Sequence, residues 1–232
     1  MKAFVSYMLC DALEKTTLVR ALPLPPYKKL DSPVSTHSDM LLCIIENTLF
    51  CYSDYYHENK DIFDEAEKDG YRIVKCAPPI SSKYPYDIGL NVVVIGKRVF
   101  GNLKYICREI TDFCNEKGYK LVNVKQGYTA CSTLVLDEKN VITADPSIKK
   151  SMEKEDIDVT LINDKCIVLK GYDHGFIGGS CGVFNDKILF FGEAENLPDY
   201  EKIKAKAHSL KMEIFSILSG DVVDFGGIKL IK

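Results

Sequence analysis

Cys131 closes the stretch Gly127-Tyr128-Thr129-Ala130 and precedes the apolar run Leu134-Val135-Leu136. A glycine lets the backbone come close to a ligand, so a cysteine just past it, at the mouth of a strand, is well placed to meet a substrate. A thiolate attacks electron-poor planar carbons, and a nearby protonated histidine lowers the pKa of its thiol. Cys131 is therefore expected to titrate below the free-thiol value of about 8.5, with His37 of His37-Ser38-Asp39 as its partner. Read as a strand, that tripeptide turns Asp39 to the same side as His37.

Three further carboxylates stand at comparable positions. Asp87 follows Tyr84-Pro85-Tyr86, while Asp221 and Asp224 flank Val222-Val223 near the C-terminus. Singly, an aspartate after a turn bonds local backbone. Converging with a cysteine, the set favours a cationic, nitrogen-rich ligand. Cys181 in Gly178-Gly179-Ser180-Cys181 is the alternative nucleophile, with His174 just upstream as its partner. The glycines before it are followed by neither Gly-Lys-Ser/Thr nor a helix, so they make no phosphate loop. His37 and His174 have no metal-ligand spacing. No cofactor and no metal are expected.

The 232 residues carry a formal net charge of -3 with acids and bases interspersed, which argues against nucleic acid or an anionic membrane as partner. No apolar run is long enough to span a bilayer, and the opening Met1-Lys2-Ala3-Phe4-Val5 lacks the pattern of a signal peptide. Both absences point to the cytoplasm. The nine cysteines are scattered without CxxC pairs, so buried reduced thiols are expected rather than disulfides or a zinc site. Oligomeric state is not legible.

What must position these side chains is a repeat. Polar openings followed by two short β-runs recur at His37, Asp87, Cys131 and Gly178, roughly every 45 residues, inside the range of repeat architectures. Each reads as a β-hairpin, then a helix, then a third strand. The clearest helix is expected over 103–117, capped by Asn102 and stopped by Gly118, with Leu103, Ile106, Cys107, Ile110, Phe113 and Cys114 on one face. Other helices are expected over 59–68, 146–154 and 198–210. Third strands are expected in YRIVKCA, YKLVNV, VTLIN with CIVLK, and MEIFSIL. A fifth module is split between the ends: 222–231 supplies its first strand and 2–8 its second. The fold expected is a single α/β domain over 1–232, with ββαβ modules at about 37–80, 81–126, 127–172, 173–220, and 221–232 joined to 1–36. Pairing the chain ends closes the ring and leaves no open array edge.

This architecture resembles the pentein fold, the five-bladed ββαβ propeller of guanidino-group-modifying enzymes such as arginine deiminase, agmatine deiminase, the amidinotransferases and dimethylarginine dimethylaminohydrolase. His37-Ser38-Asp39 is similar to the family's His-x-Asp signature. Gly127 to Leu134 is similar to its catalytic-cysteine strand, and Leu218-Ser219-Gly220-Asp221-Val222 is a fainter echo of its Gly-Gly-Asp-Val segment. The family cysteine usually sits in the last module, so the resemblance implies a circularly permuted order. It also implies Cys131 as the covalent nucleophile, His37 as acid and base, and Asp39, Asp87, Asp221 and Asp224 as the acids that bind a small guanidino or amidino compound. Hydrolysis or group transfer at its C–N bond would follow. The competing reading is a non-catalytic pentein, as in ribosome anti-association factors.

Overall fold

The computed structural model describes residues 1–78 and 80–231. In chain order the elements are β1 (Lys2–Ser6), α1 (Cys10–Lys15), β2 (Arg20–Leu24), α2 (Ser38–Leu41), β3 (Leu42–Ile45), β4 (Thr48–Tyr52), α3 (Ser53–Glu58), α4 (Lys60–Lys68) and β5 (Arg72–Cys76). There follow β6 (Val93–Ile95), β7 (Arg98–Gly101), α5 (Arg108–Glu116), β8 (Lys120–Asn123), β9 (Thr133–Val135), β10 (Asn140–Thr143), α6 (Pro146–Glu153) and β11 (Asp158–Leu161). The last are β12 (Cys181–Phe184), β13 (Lys187–Phe190), α7 (Tyr200–Ser209), β14 (Glu213–Ser216) and β15 (Lys229–Ile231).

The strands form five separate three-stranded sheets, each built the same way: an inner strand antiparallel to a middle strand, which runs parallel to an outer one. The antiparallel step needs only a tight turn, whereas the parallel step needs a crossover, which the helix supplies. Three of the hairpins use two-residue turns with a left-handed first residue, at Glu46, Gly96 and Asn185, the geometry that matches strand twist. The fifth sheet joins the ends of the chain: β15 pairs antiparallel with β1, Ile231 opposite Lys2 and Lys229 opposite Phe4, and β1 pairs parallel with β2. The inner strands of all five sheets line one axial cavity of about 340 Å³. Among the described residues no helix is long and apolar enough to cross a membrane.

The helices of the repeat form close to where they are expected, the main difference lying at the start of α5. α6 starts on Pro146 because the Asp145 carboxylate accepts the N–H groups of Ser147 and Ile148. α5 begins at Arg108 rather than at Leu103, since residues 102–107 make a turn on the Asn102 carbonyl and the Cys107 N–H donates to Gly89 O at 2.8 Å instead of continuing a helical ladder. Gly118, at φ +69°, ends the segment as expected. Two expected strands are mostly loop. CIVLK contributes a single bridge, Val168 to Val223, and of 222–231 only Lys229–Ile231 is strand. The two loops meet instead: Val168 N donates to Val222 O and Asp224 N to Val168 O, both at 2.9 Å. CIVLK thus holds the loop that carries Asp224.

The module openings are tied to one another round the axis. Asn91 Nδ2 donates to Asp39 O at 3.1 Å, and Ala130 N donates to Asn91 Oδ1 at 2.7 Å. Gly179 N donates to Cys131 O at 3.1 Å, and Phe225 N and Gly227 N both donate to Gly179 O. Asp39 N and Ser38 Oγ donate to Gly226 O at 3.1 and 2.8 Å, which completes the circuit. Loop backbone buried at the centre of a ring must find partners, and here each module's opening satisfies the next.

Candidate active site

Cys131 sits in a turn two residues ahead of β9 and is buried. Its Sγ accepts a hydrogen bond from Asn91 Nδ2 at 2.9 Å and lies 3.8 Å from Met40 Sδ. His37 is buried as well, and it differs from the sequence expectation: it caps α2 from outside, so Ser38 and Asp39 are the first helical residues and not a strand. Successive helical residues point about 100° apart, so His37 and Asp39 do not share a face. His37 and Cys131 line a cavity of about 210 Å³, with Met40, Tyr128, Phe176 and Asp224 among its other walls.

Asp224 is the acid that faces His37, its Oδ1 3.6 Å from Nδ1. The same oxygen accepts the Gly226 N–H at 2.9 Å, and Oδ2 accepts the Phe176 N–H at 2.9 Å. Two glycines make this approach feasible. A Cβ on Gly179 would stand 2.0 Å from Asp224 Oδ1, and one on Gly226, at φ +82°, would stand 2.2 Å from His37 Cβ.

Asp39 lies behind the thiol and lines the axial cavity, as does Lys229. Both its carboxylate oxygens are buried without a hydrogen-bond partner. Burial pushes its pKa up to about 6, opposed by His37 and Lys229 and reinforced by Asp224. The Cys131 thiol is pushed well above its ordinary value by burial and by the negative charge of Asp39 and Asp224, against the hydrogen bond from Asn91. The low thiol pKa expected from the sequence is therefore not found, because burial and the two nearby acids hold the thiol up.

The remaining predicted residues divide. Asp87 is buried but not in the cavity wall; its Oδ2 accepts the Tyr128 hydroxyl at 2.6 Å, which positions Tyr128 from behind. Burial raises its pKa. Asp221 is exposed and takes no part in the cavity. Cys181 begins β12, faces the axial cavity and donates to Ile177 O at 3.0 Å. His174 lines the Cys131 cavity, its Nδ1 2.8 Å from Gly175 O. The alternative pair thus sits on two different cavities.

Sequence reasoning missed Asn91, Met40 and the aromatic walls Tyr128, Tyr172 and Phe176. Asn91 had a signal, being a lone amide inside the apolar run Ile88-Gly89-Leu90-Asn91-Val92-Val93; a buried polar group of that kind needs dedicated partners. Among the described residues the cavity walls contain two acids, Asp173 and Asp224, two histidines and no lysine or arginine.

A ring of five ββαβ modules with its openings gathered on one axis is the pentein fold, and solved structures bear the likeness out. A cysteine-to-serine mutant of DDAH from Pseudomonas aeruginosa, complexed with citrulline, superposes with a TM-score of 0.60 at 11% identity, over 94% of this chain and 91% of that one. C. jejuni agmatine deiminase gives 0.58 at 8% identity over 94% and 87%. SxtG, an amidinotransferase from Microseira wollei, gives 0.55 at 9% identity over 89% and 74%. The chain belongs to a family of unknown function, DUF6873, whose model matches residues 5–229. No curated protein matches its sequence.

Proposed function

We propose that the cavity over Cys131 takes a small guanidino or amidino cation and that the protein is a thiol-dependent enzyme acting on its C–N bond, most simply as a hydrolase. The observation that carries this reading is the convergence in one cavity of a thiol, an imidazole and the buried Asp224 carboxylate beside aromatic walls, with Asp39 buried behind the thiol. Carboxylates and aromatic faces both attract a planar cation. The fold neighbours with this ring are a dimethylarginine hydrolase, an agmatine deiminase and an amidinotransferase.

The electrostatics suit a reaction that starts only on binding. In the free site the thiol is neutral, which keeps it inert. A guanidinium in the cavity beside Cys131 and Asp224 offsets the negative charge that raises the thiol pKa, and Asn91 Nδ2 supplies a hydrogen bond to the developing thiolate. Sγ then bonds to the guanidinium carbon as its proton passes to His37, and the C–N bond to the departing amine breaks as His37 hands that proton to the nitrogen. Water attacks the thiouronium carbon while His37 accepts its proton, the C–S bond breaks, and His37 returns the proton to Sγ as a urea-type product leaves. Asp224 orients His37 throughout.

The walls narrow the substrate class. A cavity of about 210 Å³ is smaller than the usual drug-sized site. Among the described residues its walls hold no lysine or arginine to partner an α-carboxylate. A guanidine or amidine with a short apolar or aromatic substituent fits it better than a free amino acid.

The second reading is a non-catalytic pentein that binds the same ligands. It is favoured by the burial of the Cys131 thiol and by the innermost strand of the final module, Lys229–Ile231, which carries no cysteine. Incubation with a panel of guanidines and amidines, followed by product analysis and intact-mass search for a Cys131 adduct, separates the two. Product or adduct lost in Cys131→Ser supports the enzyme. A thermal shift with neither supports the binding protein, and no shift with any member of the panel overturns both.

A further inference from the structure

A second cluster of reactive side chains lies away from the Cys131 cavity. β5 ends on Cys76, Cys107 stands immediately before α5, and Glu109 lies in the first turn of that helix. The two Sγ atoms and a Glu109 carboxylate oxygen all lie within 4.8 Å of one another. Both cysteines are buried and unoxidised. The 31-residue separation of the cysteines hides the pair from any spacing motif; the β5–α5 packing creates it.

We propose that Cys76, Cys107 and Glu109 form a three-ligand site for a thiophilic divalent cation of the Zn²⁺ type, with the fourth position open to water. Two thiolates and one carboxylate are a donor set that Zn²⁺ takes, and three protein ligands with one open position is its usual non-structural arrangement. Zn–S bonds of about 2.3 Å and Zn–O bonds of about 2.0 Å put tetrahedral ligands about 3.5 Å apart, and the three ligand atoms, within 4.8 Å of one another, already stand near that spacing. Binding releases the two thiol protons to solvent.

Three further observations point to a ligand here. Glu109 is held in place: its Oε1 accepts the Ala77 N–H at 3.2 Å. The Tyr52 hydroxyl is buried without a hydrogen-bond partner. A Cβ on Gly89 would lie 2.9 Å from Cys107 Sγ and 3.3 Å from Tyr52 Oη, so the glycine leaves open a small space that both groups border. Water on the fourth position of the ion would give the orphaned hydroxyl its partner. Entry is available through a cavity of about 500 Å³ walled by Pro78, Gly89, Tyr105, Cys107 and Glu109.

The site is also linked through the backbone to a residue that supports a wall of the Cys131 cavity. Cys107 N donates to Gly89 O, two residues past Asp87, which holds Tyr128. A cation joining β5 to α5 would fix the chain between them, which carries both Asp87 and Asn91.

Co²⁺ is the probe, because tetrahedral thiolate coordination gives it charge-transfer and d–d absorption that six-coordinate Co²⁺ lacks. Full-length Cys131→Ser protein, used so that the candidate nucleophile contributes nothing, is reduced, stripped with chelator and titrated. The expected result is uptake of one Co²⁺ with a thiolate charge-transfer band, displaced by Zn²⁺. Adding Cys107→Ser should remove the band and weaken uptake at least tenfold. Adding Glu109→Gln, a half-buried change whose fold is checked by circular dichroism, should keep the band and weaken uptake severalfold. The proposal is overturned if the folded, reduced protein takes up no Co²⁺, if both variants bind as before, or if the two thiols only form a disulfide and the reduced pair binds no metal.

Discussion

Asp224 stands between His37 and the chain that surrounds it. One oxygen lies 3.6 Å from Nδ1 of His37 and accepts the Gly226 N–H, while the other accepts the Phe176 N–H. Asp224→Ala strands two buried N–H groups and leaves a hole against Gly179, a loss of about 2–4 kcal/mol in urea denaturation. Asp224→Asn keeps the shape, loses less stability, and should abolish the thermal shift given by guanidines. Retention of that shift in Asp224→Asn would remove Asp224 from the ligand site.

The environment of Cys131 makes a prediction opposite to the one its sequence suggests. With the thiol buried and its pKa raised, it should be among the slowest of the nine cysteines to react with iodoacetamide at neutral pH. Exposed Cys166 and half-buried Cys10 should label first. A saturating guanidine that is too small to fill the cavity should speed labelling of Cys131 severalfold by offsetting the negative charge of Asp224 beside it. Mass-spectrometric mapping of labelling with and without that ligand reads this directly; fast labelling in its absence contradicts the electrostatic account.

Asp39 sets a pH dependence whose sign follows from its raised pKa of about 6. Between about pH 4, the unfolded carboxyl value, and pH 6 the native protein keeps a proton that the unfolded chain has released. Stability should therefore fall as pH rises through that window and level off above it. Affinity for a guanidinium should rise over the same range, since only the ionised carboxylate attracts it. Asp39→Asn should flatten the stability profile, gaining on the order of 1–3 kcal/mol at pH 7, and lose the pH dependence of binding. The groups that act on Asp39 are His37, Asp224, Lys229 and Cys131, so a profile unchanged in Asp39→Asn would move the titration to one of them.

The fold was legible because each module repeats the same local choices: an apolar hairpin, a turn residue able to take a left-handed conformation, and an amphipathic helix. The chain-end pairing followed once four modules were counted and a half remained at each end. The site was legible in part. Cys131 and His37 do share a cavity, and Asp224 does face them, but the side from which Asp39 acts was misjudged. An opening His-Ser-Asp looks extended in sequence, whereas the Gly226 carbonyl, accepting from Ser38 Oγ and Asp39 N, starts a short helix there. That partner is 188 residues away, beyond the reach of local pattern. The same is true of the thiol's pKa, which depends on acids brought in from two other modules, and of Cys76 with Cys107. Asp221 and Asp224 looked alike in sequence; the loop bridge at Val168 and Val223 turns one inward and leaves the other exposed.

Asn91 is the residue on which the ring and the site depend together. Fully buried, it donates from Nδ2 to Asp39 O and to Cys131 Sγ, and its Oδ1 accepts the Ala130 N–H at 2.7 Å and the Cys131 N–H at 3.4 Å. It therefore joins the openings of three modules through one amide. Leucine has nearly the same shape and none of these bonds, so Asn91→Leu leaves the Ala130 N–H and the Asp39 carbonyl buried without partners. The expected loss is about 2–5 kcal/mol, which for a chain of this length lowers the melting temperature by roughly 5–15 °C. Asn91→Asp retains the acceptor for Ala130 but replaces the donor to Sγ with a negative charge. It should raise the Cys131 pKa further and abolish ligand-stimulated labelling, whatever its effect on melting. The two variants thus separate the structural from the electrostatic role. Melting curves and Cys131 labelling on both would show it. If Asn91→Leu melts like the parent protein, the circuit of hydrogen bonds between module openings does not hold the ring. If Asn91→Asp still labels faster with ligand present, the amide does not support the thiolate.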